Sequence, residues 1–528
     1  MNVYFIGMCI SMVIYTVIGL VISRRVKGVD DFYVAGRKAP VILIAGSMIA
    51  SYTSTGMFMG DAAQCYDGVF SPIIIFAGMQ SAGYIIGAVF FGRYLRRCHV
   101  LTIPEFFGKR FCSEAMRKLA AVTAIITMTV YLLSVIQGIG TLMSSVTGVG
   151  YNYCVLLSII VFTVITVTSG SRGVLITDTL MAGTFTAAML IASFVIAKNA
   201  GGWFTSIERI AADGSLSDIL SWGGKSGVLY NSGGENVLWG VIYGVVWMSV
   251  CMVGPWQSSR YLMAKNEHTV VKSSLYASLG VFLLEFIVGM AAVMVNAVNS
   301  GLEDSSQVMI WAAMNMMPKL LGVILLTGVL AAGISSATTF LSLIGASVAN
   351  DIMPENESRA IRIGRIAMVI ASAAVLAVAV FNPPSIFWIM FLGGAIVASS
   401  WMPVAVASIF SKRLTRAGAF AGMLTGFLGC FVLRLYSALA GITLPVYLDP
   451  SIVGIVLNIA AMVIATLLTS VSAEEKEARE ALFVIPDSEK NVIEIKKTLS
   501  YARATVLVGV MVALGLIILW ALPYYRGM

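Results

Sequence analysis

A chain of 528 residues that is 59% hydrophobic and only 11% charged, with a mean hydropathy of +0.91, has too little polar surface to cover a soluble globule of its size. The formal charge of +8 could suggest nucleic acid. Most of the 34 basic residues instead sit in short loops on every second side of long apolar runs, a pattern that excludes a nucleic-acid surface and predicts an all-α polytopic membrane protein.

The first apolar run, 3–23, has no basic region ahead of it and no small-residue cleavage site, and Arg24 and Arg25 follow directly. It reads as a retained span rather than a signal peptide. With this run as span 0, further spans fall near 40–65, 70–95, 118–149, 152–169, 173–197, 237–256, 273–298, 319–349, 360–382, 385–411, 417–440, 451–471 and 501–522. That makes about 14, each close to the roughly 20 residues that cross a bilayer core. Basic clusters at Arg24, Arg25, Lys27, Arg37 and Lys38, then Arg93, Arg96, Arg97, Lys109 and Arg110, then Arg260, Lys265 and Lys272, then Lys412, Arg413 and Arg416, and finally Lys490, Lys496 and Lys497 all fall on one face. The positive-inside rule makes that face cytoplasmic and both termini extracellular, in a cell-membrane protein. The longest connections, 201–235 outside and 472–500 inside, are too short for a typical catalytic domain, so any chemistry sits among the helices. The seven cysteines are scattered without metal spacing and read as packing residues, and two histidines are too few for a His-based metal site.

Two spans have interrupted centres five spans apart: span 1, with SYTSTG at 51–56, and span 6, with Val253, Gly254 and Pro255. A five-helix unit has an odd number of crossings, so its second copy enters from the opposite face, which predicts an inverted repeat. Interrupted helices in matching positions of two halves are a transporter's usual binding site, because unwound backbone offers free carbonyls at mid-membrane; ordinary Gly and Pro kinks are the plainer alternative. Span 8 places Ala332, Ser335 and Ser336 on one face by their i, i+3, i+4 spacing, within a run of hydroxyls that includes Thr338 and Thr339. Carbonyl and hydroxyl oxygens could replace the hydration shell of a hard monovalent cation; the alternative is that the hydroxyls bond back along their own helix. Asp178 in span 5 and Glu285 in span 7 are carboxylates within apolar runs, each at a cost of at least about 2.5–3.5 kcal/mol unless partnered.

The runs AGSMIASYTSTGMFMG in span 1, AAGISSATT in span 8 and TIPEFFGKRF at 102–111 together resemble the sodium:solute symporter family. The likeness extends to GVLITD in span 5, to Gly254, Pro255 and Arg260, and to SKRLTRAGAFAGM at 411–423. It implies a LeuT-type fold of two inverted five-helix repeats with broken helices 1 and 6: an extra N-terminal helix and loop at 1–39, repeats at 40–198 and 237–411, an extracellular loop at 199–236, and additional helices at 412–528. It further implies a sodium (Na+) site made by the backbone carbonyls of Ala50, Thr53 and Ala332 with the hydroxyls of Ser335 and Ser336. A second sodium site, found in some members, would use Asp178, Ser335, Thr338 and Thr339, although Met181 stands where many relatives carry Gln.

Candidate solute contacts near the breaks are Tyr52, Ser54, Thr55 and Met57 in span 1, Gln80 in span 2, Gln137 in span 3, Trp247 and Cys251 in span 6, and Ser400 with Ser399 and Trp401 in span 10. Trp247 stands 13 residues before Arg260, where proline-type relatives carry Trp and sugar-type relatives carry polar residues. The resemblance therefore implies a sodium-coupled symporter, not an enzyme, importing a compact polar solute such as an amino acid, pantothenate or a short carboxylate. A proton-coupled symporter of the same fold and a membrane sensor that signals through a partner are the competing readings.

Overall fold

A computed structural model describes residues 2–23, 28–354, 356–381 and 385–528; Arg24, Arg25 and Lys27 of the first basic cluster lie outside them. Among the described residues, 13 helices are long and apolar enough to cross a membrane, and a bent pair, Val41–Tyr52 and Gly56–Asp67, makes a fourteenth span. All fourteen expected spans are present. Spans 4 and 5 are joined with almost no loop: Tyr151–Thr168 and Gly170–Asn199 meet at Gly170. Its φ of +57° is open to glycine at little strain, and a Cβ there would lie 2.6 Å from the Phe32 ring.

Spans 1, 2, 6 and 7 pack on one another, and span 8 packs on spans 3, 4 and 5 and meets span 1 across the centre. Glycines let spans 2 and 6 approach closely. A Cβ on Gly83 or Gly87 would meet the Met248 or Met252 backbone at 2.5–2.6 Å, the small-residue packing that membrane helices use in place of a hydrophobic driving force.

The two breaks differ in kind. Span 1 bends by 45° across Thr53 to Thr55, whereas span 6 is interrupted at the single residue Gly254, with ψ 137°, between Gly233–Val253 and Pro255–Met263. Pro255 has no N–H for the carbonyl one turn back and opens the second half-helix, while the Ser258 hydroxyl reaches the Val253 and Gly254 carbonyls at 3.1 and 2.8 Å.

The C-terminal region corrects the expected boundaries. The last helix starts at Val492, within the segment taken as cytoplasmic loop, and continues to Gly527. Asn491 caps it, and Lys272 at the start of span 7 holds Glu494 at 2.5 Å, which makes that first turn favourable outside the apolar run. The rest of the loop holds a short helix, Ala473–Ala481, whose Glu475 is buried, caps the Arg416 N–H and closes a capping box with Ser472. The cysteines are unpaired; Cys65, Cys154, Cys251 and Cys430 are buried, as packing residues should be, while Cys112 is exposed.

Candidate functional site: the crossing of spans 1 and 8

The break in span 1 strips carbonyls of their usual partners. Thr53 makes the last helical bond, to Ile49 O at 2.9 Å, then turns extended with ψ 114°, and the Ser54 hydroxyl caps the second half by accepting from Gly56 N at 3.0 Å. The Ala50 and Thr53 carbonyls are thereby free to face span 8. Ser335 Oγ lies 2.9 Å from both Ala50 O and Ala332 O, and Ser336 Oγ lies 3.3 Å from Thr53 O. All five residues are buried. The set offers three carbonyl and two hydroxyl oxygens with no basic side chain among their contacts, a donor chemistry that suits a hard monovalent cation arriving as cargo.

Two glycines make room for the break. A Cβ on Gly138 of span 3 would meet Thr55 at 2.5 Å, and one on Gly333 of span 8 would meet Ile139 at 2.6 Å and Thr55 at 3.0 Å. Thr55 donates to Val135 O at 3.1 Å, and Ser54 sits 3.2 Å from the Tyr131 phenol. Both hydroxyls thus fasten the break to span 3.

The residues expected to form a second cation site are only partly gathered. Asp178 Oδ2 accepts from Ser47 at 2.7 Å, from Arg260 at 2.8 Å and from Thr339 at 3.4 Å. Arg260 also donates to Ser47, Thr339, Ser259 and the Trp256 carbonyl. Thr338 turns back to Ile334 O and Ser335 O at 3.0 and 3.1 Å, and Ser335 points to the first site. The acid therefore already holds a fixed cation, a guanidinium one turn beyond the broken end of span 6. The pairing escapes sequence spacing because 82 residues separate the partners.

Among the solute candidates, the structure brings Tyr52, Gln80 and Trp247 together. The Tyr52 phenol donates to Gln80 Oε1, and its ring meets Trp247 edge-on with centroids 5.5 Å apart. Trp247 also faces Tyr131 and Tyr243 at 5.8 and 6.1 Å. Met57 is buried nearby in span 1, while Gln137 lines a separate cavity of about 320 Å³ with Gly60 and Phe387. The other two candidates have packing partners of their own. Cys251 packs against Gly83 of span 2, and Ser400 bonds back to Ile396 O at 2.6 Å while its carbonyl accepts from Asn458 of span 12 at 2.9 Å. Asp61 was not singled out from the sequence. It is a buried acid in span 1 whose Oδ1 accepts from the Tyr243 phenol at 3.0 Å, and the signal that marked Asp178 and Glu285, a carboxylate inside an apolar run, applies to it equally.

The fold has counterparts of known structure. A Na+-coupled sialic acid symporter, substrate-bound and outward-open, superposes with a TM-score of 0.74 at 15% identity, covering 89% of this chain and 99% of that one. Mhp1, a nucleobase-cation-symport-1 family transporter in a closed conformation, gives 0.56 at 12% identity, covering 85% and 98%. At these identities the likeness establishes the fold, and it is the LeuT type, with broken helices 1 and 6. In sequence, the sodium/proline symporter of Salmonella typhimurium strain LT2 is 23% identical over 461 residues, 82% of this chain and 87% of its own length. That of Escherichia coli strain K12 is 23% identical over 457 residues, 81% and 86%. The sequence model of the sodium:solute symporter family matches residues 32–426, a stretch that contains both breaks, the hydroxyl run of span 8 and the Asp178–Arg260 pair; the chain belongs to that family.

Proposed function

We propose that this symporter imports a small polar organic solute across the plasma membrane by alternating access, driven by one sodium ion bound at the crossing of spans 1 and 8, with the basic loops in the cytoplasm and both termini outside. The observation that carries the reading is the convergence of the Ala50, Thr53 and Ala332 carbonyls with the Ser335 and Ser336 hydroxyls. Two of the carbonyls belong to one side of the transporter's centre and the rest of the set to span 8, so a cation bound there fastens the two together. Coupling is reciprocal: the factor by which sodium raises solute affinity is the factor by which solute raises sodium affinity. An inward-negative potential adds roughly 2.3 kcal/mol per 100 mV for each sodium carried.

A stoichiometry of one is favoured by Arg260, whose charge already offsets Asp178, and by Thr338, whose hydroxyl serves its own helix. For the solute, Tyr52, Gln80 and Trp247 offer a phenol, an amide and an indole. That lining suits a compact solute with an apolar portion, of the amino acid, pantothenate or short-carboxylate kind, better than a sugar.

The test is uptake of labelled proline, pantothenate, acetate, pyruvate, choline, sialic acid and glucose into proteoliposomes, with and without an inward sodium gradient, for the native chain and Ser336→Ala. Sodium-driven accumulation of at least one solute, lost or strongly reduced in the variant, is the expected result. Accumulation that ignores sodium and follows a proton gradient would replace the coupling ion. Glucose displacing every other solute would overturn the solute class.

A further inference from the structure

Two acids of the central bundle have no basic partner. Asp61, on the second half of span 1, and Glu285, on span 7, are 3% and 1% exposed, and no Lys or Arg acts on either. They are each other's charged neighbours, and Tyr52 at the break lies within reach of both. Asp61 is held by the Tyr243 phenol, while Glu285 faces Gln80, whose carbonyl oxygen accepts from Tyr52.

The cluster is short of hydrogen-bond partners. Glu285 Oε2 is buried without one, and the Gln80 amide and Trp247 indole N–H are turned towards Glu285 and the Tyr243 phenol without reaching full hydrogen-bond geometry. An unpaired polar atom in such surroundings is costly, and natural proteins keep it where a ligand supplies the partner. Two buried carboxyls with no basic partner can be satisfied by a ligand's positive charge, and the aromatic rings of Tyr52, Trp247 and Tyr243 stand about them, with Trp247 centroids 5.5 and 6.1 Å from the other two. Ring faces and carboxylates attract the same kind of ligand, an organic cation with N–H donors. A bare metal ion is served less well: among the described residues no group of three or more His, Cys, Asp or Glu gathers here, and the neighbours are rings and one amide rather than a shell of carbonyls. Access is short. Phe387 lines the cavity of about 320 Å³ on the face opposite the basic loops, and its ring packs on Tyr243 at 5.4 Å, so one side chain stands between that cavity and the phenol holding Asp61.

We infer that Asp61 and Glu285 receive a protonated amine, which makes the carried solute an ammonium-bearing molecule such as an amino acid or a small amine, and not a carboxylate alone. This rests on the symport reading and narrows its solute class.

The test uses the purified full-length protein in detergent, with thermal stability as the readout of binding. Sodium is titrated first, then a panel is added in saturating sodium: proline, alanine and lysine; their amine-only counterparts pyrrolidine and putrescine; and the amine-free pyruvate, acetate and pantothenate. Members carrying an ammonium group are expected to shift the midpoint upward and the amine-free ones not. Asp61→Asn and Glu285→Gln, which remove the acid and keep shape, should weaken that response by roughly tenfold or more, the scale of a lost charge-assisted hydrogen bond. Both should leave the shift given by sodium alone unchanged. Tyr243→Phe, which keeps both acids, should weaken amine binding less, and it serves if an acid variant does not fold.

Stabilisation by amine-free carboxylates, no response to any amine, or an amine response untouched in both acid variants would each overturn the inference; the last is the result if the acids merely hold protons. Loss of the sodium shift in the native chain would count against the symport reading instead, so the two failures are distinguishable.

Discussion

The crossing of spans 1 and 8 and the crossing of spans 5 and 6 are both fully buried and rich in hydroxyls, yet they differ in charge. At the first, Ser335 and Ser336 meet three backbone carbonyls and no formal charge is present. At the second, Asp178 and Arg260 meet at 2.8 Å with Ser47 and Thr339 completing the set. A neutral oxygen shell can take in a cation and release it, since the empty and filled states differ by one desolvated ion. An ion pair already holds its cation, and opening it exposes two charges to an apolar interior. The first arrangement suits cargo and the second suits a fixed brace between two helices.

The brace gives the largest expected effect. Arg260→Met leaves Asp178 buried and unpaired, at a cost of about 3–5 kcal/mol, and should collapse the folded fraction seen by size-exclusion chromatography. The double variant Asp178→Asn, Arg260→Met should regain most of that loss. If it does not, the pair is more than a charge match, and a cation role for Asp178 regains ground.

A smaller effect is expected at the neutral shell. Ser335→Ala and Ser336→Ala each remove one oxygen of five, worth about 1–2 kcal/mol, and should raise half-saturating sodium on the order of tenfold while the thermal midpoint in sodium-free buffer barely moves. A fall in that sodium-free midpoint as large as for Arg260→Met would show the hydroxyls to be structural bonds first.

The smallest effect separates backbone from side chain. Thr53 is placed to contribute its carbonyl, and its own hydroxyl is buried without a partner. Thr53→Val keeps the carbonyl and the shape, so sodium dependence should stay within about twofold. A shift as large as that of Ser336→Ala would make the hydroxyl the ligand.

How much of this was legible beforehand follows from the range of the interactions. The spans, the two breaks and the hydroxyl face of span 8 rest on local pattern, and they stand close to where composition and spacing put them. The last helix starts at Val492, where Asn491 caps it and Lys272, more than 200 residues earlier, pairs with Glu494 in its first turn; the cap is local but the ion pair is not. Proximity to a break does not report direction: Cys251 packs on Gly83 of span 2, and the Ser400 hydroxyl turns back to Ile396 O of its own helix. Asp61 carries the same signal as Asp178, a carboxylate within an apolar run, and was not singled out.

The sequence by itself determined that this is a membrane protein of about fourteen helices and that two of them break, while the particular oxygens at the first break, those of Ala50 and Thr53, were implied by the family resemblance. The spans and the breaks follow from hydrophobic length, from residues that disfavour helix, and from the bonds a helix must make, all local matters. Only the tertiary structure decided which charges are paired. It gave Arg260 to Asp178 and left Asp61 and Glu285 with each other, because partners in a helical bundle are set by which faces meet, and that depends on the packing of every span at once.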